Sequence, residues 1–308
     1  MVGSTFVTVI ICTRNRADSL GRTLDSLVRA SRHVAAEWEL VVVDNGSTDH
    51  TPAMVANFDG RLPIRRVPQP VAGLSNARNA GVEAASGAYI LWTDDDVIVD
   101  EQWLAAWFRT FRARPGDAVF GGRTEPLYDE PHQPWFKANQ QILAGLLAIR
   151  DESDWQEVTS SRIPFGLNYA VRGAEQRSHP YDPNLGVAPG RRRGGEETAV
   201  LRAILAEGGT GSWAWDATVF HVIPAERQSL QYIRTYYEAL GYDFPIIGLD
   251  FDRVSRPRAI WGTIKAIVRS GLSYRKAART DLAAAVPELI EHAKARGTLK
   301  RYIGIKEE

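Results

Sequence analysis

The sequence predicts an α/β fold, a mostly parallel central sheet flanked by helices, with a helical extension at the C-terminal end. Three observations carry that expectation. β-Branched apolar runs alternate with amphipathic segments through the first third of the chain, the connections between them are short, and polar clusters follow the apolar runs directly at Thr13-Arg14, Asp44-Asn45 and Asp94-Asp95-Asp96. Repeated βα units with short connections build parallel sheets, and ligands of such sheets bind beyond the carboxyl ends of the strands. The three polar clusters should therefore converge on one edge.

Phe6 to Cys12 is a continuous run, as expected of a strand buried on both faces. Asp18 is placed to cap a helix whose Leu20, Leu24, Leu27 and Val28 share one face. Glu39 to Asp44 reads as a second buried strand, closed by the turn Asp44-Asn45-Gly46-Ser47. A short helix with Pro52 in its first turn follows. Ile64 to Val67 is a weaker third strand. A helix from about Ser75 to Ala85 carries Ala77, Ala80, Gly81 and Ala84, small enough for close packing on the sheet. Tyr89 to Trp92 is a fourth strand running into the acidic triplet, and Trp103, Leu104, Trp107, Phe108 and Phe111 mark the next amphipathic helix. Residues 121–190 are irregular and rich in Pro, Gly and Trp, and 186–195 reads as a Gly/Pro loop. A helix is predicted from Glu196 to about Glu207. From about Glu226 the chain reads as helical and increasingly basic.

Composition narrows the function classes. The 308 residues are 44% apolar and 24% charged, the balance of a folded protein. Lys+Arg and Asp+Glu both total 37, so charge gives no reason to expect a nucleic-acid partner. A single cysteine, Cys12, excludes an internal disulfide and a Cys-based zinc cluster and fits a reducing compartment. The opening segment lacks the basic region of a signal peptide, and no run approaches the ~20 apolar residues of a membrane span. The expectation is a cytoplasmic protein, with association at the inner face of a membrane left open.

Three consecutive aspartates repel one another unless a cation or hydrogen-bond donors offset the charge. Mg²⁺ takes one or two carboxylates and fills its shell with water and phosphate oxygens. The alternative is an acidic N-cap for the helix that begins near Glu101.

Five motifs occur in order: Thr13-Arg14-Asn15-Arg16, Asp44-Asn45-Gly46-Ser47-Thr48-Asp49, Gly73 with Ala77-Arg78-Asn79-Ala80-Gly81, Asp94-Asp95-Asp96, and Gly194-Gly195-Glu196-Glu197. Over about residues 5–225 they resemble family 2 of the inverting glycosyltransferases, which have the GT-A fold. The resemblance implies a catalytic domain over 1–225, with a nucleotide-sugar half (1–120) and an acceptor half (121–225), and a basic helical extension over 226–308. It also implies residue roles. Thr13, Arg14 and Arg16 would line the base and ribose, Asp44 would accept a hydrogen bond from the base, commonly uracil, and Asn45 would lie beside it. Arg78 would approach the pyrophosphate. Asp94 would face the ribose and the metal shell, Asp95 the sugar or the turn, and Asp96 would bind Mg²⁺ or Mn²⁺, with His221 completing the shell. Arg193, Arg227 and Asn168 would contact diphosphate or acceptor.

Inverting transfer needs one carboxylate to take the acceptor hydroxyl's proton, and charge stabilisation for the departing diphosphate. Glu196 and Glu197 open a helix whose positive end favours ionised acids. The family pattern is usually Glu-Asp, so Glu197 matches the base and Glu196 the residue that holds the acceptor sugar. Arg191 to Arg193 precede them on the loop, where they either close over a diphosphate or an anionic acceptor or form a solvated surface run. Trp135, Phe136, Trp155, Trp213 and Trp215 are candidate sugar platforms. The sequence departs from the family at Cys12, where Pro is frequent. It departs again at Gln231-Tyr232-Ile233-Arg234-Thr235, which lacks the Trp of processive members and so predicts addition of a single sugar.

Residues 253–279 hold eight Lys/Arg and no acid, with Ile260, Trp261, Ile264, Ile267 and Val268 on one helical face. Such a helix either lies in a membrane interface or packs on the protein with a solvated basic side. The donor implied is a nucleotide-diphospho-sugar, UDP favoured, and the acceptor a glycan, a lipid-linked sugar or a small molecule. A non-catalytic nucleotide-sugar-binding module would keep the aspartates but have no use for Glu197. A sugar-1-phosphate nucleotidyltransferase would want a Gly-rich loop and a Lys after the first strand, where this chain has Thr13-Arg14-Asn15-Arg16.

Overall fold

The computed structural model describes residues 6–129, 133–189, 191–192, 194–243 and 256–305. In chain order the elements are β1 (Val7–Thr13), α1 (Ala17–Ser31), β2 (Trp38–Asp44), α2 (Thr51–Ala56), β3 (Ile64–Pro68), α3 (Leu74–Ala84), β4 (Tyr89–Asp94), β5 (Val97–Val99) and α4 (Trp103–Ala113). Next come β6 (Val119–Tyr128), α5 (Pro134–Ala138), α6 (Ala144–Leu147), β7 (Asn168–Arg172), α7 (Gly173–Ser178), β8 (Val187–Ala188), β9 (Arg191–Arg192), α8 (Glu196–Ala206) and β10 (Gly211–Ile223). A 3₁₀ turn at Ala225–Gln228 leads to α9 (Leu230–Asp243), α10 (Arg256–Ala277) and α11 (Leu282–Ile303).

These form two compact units. One comprises the chain up to Leu127 with Ala148–Val222; the other comprises Tyr128–Leu147 and the chain from Ile223 onward. Residues 128–147, expected within the acceptor half, cluster instead with the C-terminal helices.

The first unit is built on an eight-stranded sheet of order β3-β2-β1-β4-β7-β6-β10-β5. The first four strands are parallel, as expected. β7 is antiparallel to β4 and β6, and β5 is antiparallel to β10. Val7, Val9 and Ile11 pack on one face with Leu20, Leu24 and Leu27 of α1 and Trp103, Trp107 and Phe111 of α4. Ile10, Val41 and Val43 face the other way, toward Ala77 and Val82 of α3 and Val200, Leu201 and Ile204 of α8. That two-sided burial is why β1 and β2 lack polar alternation. A Cβ at Gly81 would stand 2.8 Å from Ile10 Cγ2, so α3 lies on the sheet at a distance that only glycine permits there.

In the second unit α11 packs between α9 and α10. Gly241 and Gly297 let α9 and α11 approach backbone to backbone, and the Thr298 hydroxyl donates to the Gly241 carbonyl at 2.9 Å. Among the described residues no helix is long and apolar enough to cross a membrane.

Candidate active site

The carboxyl ends of the central strands are level: Thr13 pairs with Asp44, and Cys12 with Asp94. Hydrogen bonds tie the loops beyond them together. Asn15 adopts a left-handed conformation (φ 53°), which asparagine tolerates. Its side-chain oxygen accepts from Thr48 N–H at 2.6 Å, and its own N–H donates to Ser47 Oγ at 3.0 Å. Asp49 accepts from Ala17 N–H at 3.1 Å and also takes the Thr51 hydroxyl at 2.6 Å. The carboxylate that satisfies the start of α1 is therefore Asp49; Asp18, expected as the cap, is exposed beside His50.

Asp44 is buried, accepting Ser47 N–H at 2.9 Å and Arg66 Nη1 at 2.7 Å. Arg66, on β3, was not singled out in the sequence. The Asn45 amide donates to the carbonyls of Gln69 and Val71 and accepts from Gly73 N–H, so it shapes the loop before α3. Arg14 is exposed.

The three aspartates occupy different environments. Asp95 is buried; it accepts the Thr13 hydroxyl at 2.6 Å and faces Arg16 Nη1 at 3.0 Å. It thus holds the turn and uses the Thr13 hydroxyl that the resemblance assigned to a nucleotide. Burial pushes its carboxyl up to about 7 against the pull of Arg16. Asp96 is buried, with Arg16 Nη2 at 2.9 Å and His221 Nε2 at 3.6 Å. Asp94 is half-buried and has no hydrogen-bond or ion-pair partner among the described residues. Burial, then Asp96, hold its carboxyl above the usual range. Arg16 therefore neutralises two of the three acids.

Glu196 and Glu197 begin α8 behind Gly195, whose φ of +90° suits glycine. Glu196 is 3% exposed and lies 3.6 Å from Arg78 Nη2. Glu197 is half-buried. Burial, then Glu196, push its carboxyl up to about 7, with Arg78 pulling the other way. Desolvation thus outweighs the helix dipole that was expected to keep it ionised. Arg78 itself is 3% exposed on α3. Its guanidinium donates to Tyr169 Oη at 3.1 Å and lies 5.4–5.8 Å from the rings of Trp92, Tyr169 and Tyr181. Tyr169 and Tyr181 share a hydroxyl contact, and Tyr181 and Trp92 both donate to Gln176 Oε1. A Cβ at Gly166 would stand 2.6 Å from Arg78 Nη2, so glycine leaves it room. Arg78 thus sits in an aromatic cage against Glu196, a network that sequence spacing does not reveal.

Asn168 needs correction as a ligand contact. It is 1% exposed, accepts from Trp103 Nε1 at 2.9 Å and donates to the carbonyls of Arg123 and Ala217 at 2.7 and 2.8 Å. It is a buried strut between strands and α4. Phe136 is likewise fully buried and not a sugar platform. Trp213 stacks on Trp215 at 4.8 Å and meets Trp155 edge-on. Arg227 lies in the 3₁₀ turn of the second unit. Arg193 lies outside the described residues.

Among the described residues no three His, Cys, Asp or Glu side chains are grouped so as to hold a metal ion. The pair at hand, the Asp96 carboxylate and the His221 imidazole 3.6 Å apart, is of the oxygen and nitrogen chemistry that suits an ion taking few protein ligands and completing its shell with phosphate and water.

This architecture is shared with GT-A glycosyltransferases. The structure superposes on the mannosyltransferase PcManGT from Pyrobaculum calidifontis, solved with GDP-Man and Mn²⁺. The TM-score is 0.61 at 18% identity, over 96% of this chain and 86% of that one. It also superposes on residues 1–349 of S. aureus TarS, solved with UDP, with a TM-score of 0.54 at 16% identity, over 94% and 90% of the two chains. At such identities the likeness establishes the fold. The sequence model for glycosyl transferase family 2 matches residues 8–170, and the chain belongs to that family. Glycosyltransferase AglE of Haloferax volcanii is 33% identical over 126 residues, which is 40% of each chain; the match therefore spans well under two thirds of that relative.

Proposed function

We propose that this family 2 glycosyltransferase moves one sugar, with inversion, from a nucleotide-diphospho-sugar to an acceptor hydroxyl. The observation that carries the reading is the meeting, within one unit, of the Asp94–Asp96 turn with a helix that opens on Glu196 and Glu197. The neighbours' UDP and GDP-Man complexes support a nucleotide-sugar donor, and we favour UDP. The acceptor is a glycan, a lipid-linked sugar or a small molecule, and the work is cytoplasmic.

Each side chain has a task in this scheme. The loops carrying Thr13 to Arg16 and Asp44 to Asp49 form the nucleotide wall. Asp96, His221 and Asp94 would hold Mg²⁺ or Mn²⁺, which when bound offsets the charge on the departing diphosphate. Arg16, 38% exposed at its side chain, would turn from Asp95 and Asp96 toward that diphosphate. Glu197 takes the proton of the attacking hydroxyl; a carboxyl near 7 is a matched base at neutral pH. Glu196, fixed by Arg78, positions the acceptor.

Glu197→Gln tests the scheme. It should cut turnover by roughly 10²–10⁴-fold and leave metal-dependent donor binding, read by calorimetry with UDP-sugars and Mn²⁺, within about twofold. Retained turnover would remove Glu197 as the base. Absence of turnover in the wild type across donors that bind would instead favour a non-catalytic nucleotide-sugar-binding module.

A further inference from the structure

Helix α10 packs by one narrow face and displays another. Its buried residues are Ala259, Thr263 and Ser270, small enough to lie close against α11. Ile260, Ile264 and Ile267, grouped with Trp261 and Val268 from the sequence, are half-buried at the margin of that contact. The outward face carries Trp261, Val268 and Leu272, exposed by 59%, 56% and 61%. Positions i, i+7 and i+11 fall within about 20° of one line along a helix. Three large apolar side chains therefore form a single exposed stripe.

Cations border the stripe. Arg258, Lys265, Arg269, Arg275 and Lys276 are all exposed, and α10 contains no acidic residue. None of the five is in an ion pair with a described residue. Lys265 Nζ instead lies 5.3 Å from the centre of the Trp261 ring. The chain as a whole is electrically neutral, so this density of positive charge is local.

That combination selects among partners. A nucleic acid would use the cations but gain nothing from an exposed Trp-Val-Leu line. A second copy would oppose five cations to five cations. An anionic bilayer accepts both parts: apolar side chains enter the acyl boundary, and Lys and Arg stems reach back to lipid phosphates. We propose that the face of α10 bearing Trp261, Val268 and Leu272 lies in the interface of an anionic membrane, with Arg258, Lys265, Arg269, Arg275 and Lys276 at the phosphate level. The surface stands or falls independently of the transfer chemistry.

The test is co-sedimentation of the full chain with phosphatidylcholine vesicles, with and without phosphatidylglycerol, at low and high NaCl. Binding is expected only with phosphatidylglycerol and should weaken as salt rises. The pair Lys265→Glu and Arg269→Glu should reduce partitioning more than tenfold, since each lost charge near such a surface costs roughly fivefold. The pair Trp261→Ser and Leu272→Ser should reduce it to a similar degree while keeping the charge. These positions are exposed, so the variants should melt with the wild type. A fluorophore on Leu272→Cys gives a second readout; burial pushes the Cys12 thiol up to about 12, so label near pH 7 goes to the introduced thiol. Its emission should shift to the blue on phosphatidylglycerol vesicles alone. No sedimentation at low salt, equal binding to neutral vesicles, unchanged binding of both double variants, or an unshifted label would each overturn the proposal. So would a wild-type dimer that Trp261→Ser dissociates.

Discussion

Replacing Arg78 with Met examines the cage at the centre of the site. The substitution removes a buried cation but keeps an unbranched side chain. It deletes the hydrogen bond to Tyr169, the contacts with three aromatic rings and the counter-charge of Glu196. Stripping one partner from a buried ion pair costs about 3–5 kcal/mol, because the other charge is left uncompensated. At roughly 2–4 °C per kcal/mol for a domain of this size, the melting temperature should fall by about 6–20 °C at pH 8. The loss should shrink at pH 5, where Glu197, raised to about 7, carries a proton and adds no negative charge beside the vacated position. Arg78→Lys keeps the charge without the planar fork and should fall between. Arg78 also pulls the Glu197 carboxyl down. Its removal should move the acid limb of log(kcat/KM) above pH 7 in the residual activity. The readouts are calorimetric or circular-dichroism melts at both pH values and a pH–rate profile. An Arg78→Met protein that melts within 2 °C of the wild type at pH 8 would refute the cage as a stabilising element.

The wild-type rate should rise with pH through about 7 as Glu197 ionises and then level off; a flat profile between pH 5.5 and 8.5 would exclude that carboxyl as the base. The same raised carboxyl carries a stability signature. Its native pKa lies above the unfolded value, so the native state binds this proton more tightly and loses stability as pH climbs from about 4 through about 7. Glu197→Gln lacks that loss and should raise the melting temperature more at pH 8 than at pH 5. Arg16→Gln removes the cation that sits on Asp95 and Asp96. It should tighten Mn²⁺ binding severalfold without nucleotide, read by electron paramagnetic resonance titration, and weaken UDP; unchanged Mn²⁺ affinity would mean Arg16 does not compete for those acids.

How much of this was legible follows from what each signal depends on. β1, β2 and β4 are buried on both faces, so their unbroken apolar runs announced them, and the clusters at their ends followed from the parallel topology. The antiparallel half was hidden. β6 contains Gly121-Gly122, which reads as a loop, yet a Cβ at Gly121 would stand 2.6 Å from Trp213 Cε3, and Gly122 similarly makes room for Asn168. Those glycines report packing by partners far along the chain, which no local pattern encodes. Asp49 capping α1 from another loop was invisible for the same reason, and so was Arg66 on Asp44. Asn168 shows the reverse: the resemblance of its segment to the family's acceptor side suggested a ligand contact, but its amide is consumed by Trp103 and two carbonyls.

The site's charge balance ties these residues into one argument. Asp94, Asp95, Asp96, Glu196 and Glu197 face Arg16 and Arg78, five carboxylates against two guanidinium groups. The excess explains why burial can hold Asp95 and Glu197 near 7 even beside arginines: each added negative charge penalises the next. A nucleotide diphosphate entering such a site meets repulsion unless positive charge arrives with it or turns toward it. Arg78 cannot turn, because the aromatic cage and Glu196 fix it. Arg16 can, because it is partly exposed, but doing so releases Asp95 and Asp96. Only a cation able to replace Arg16 on those acids lets the arginine move without a net cost in charge. In the proposed scheme donor and divalent ion would therefore bind as a linked pair, with Arg16 coupling them.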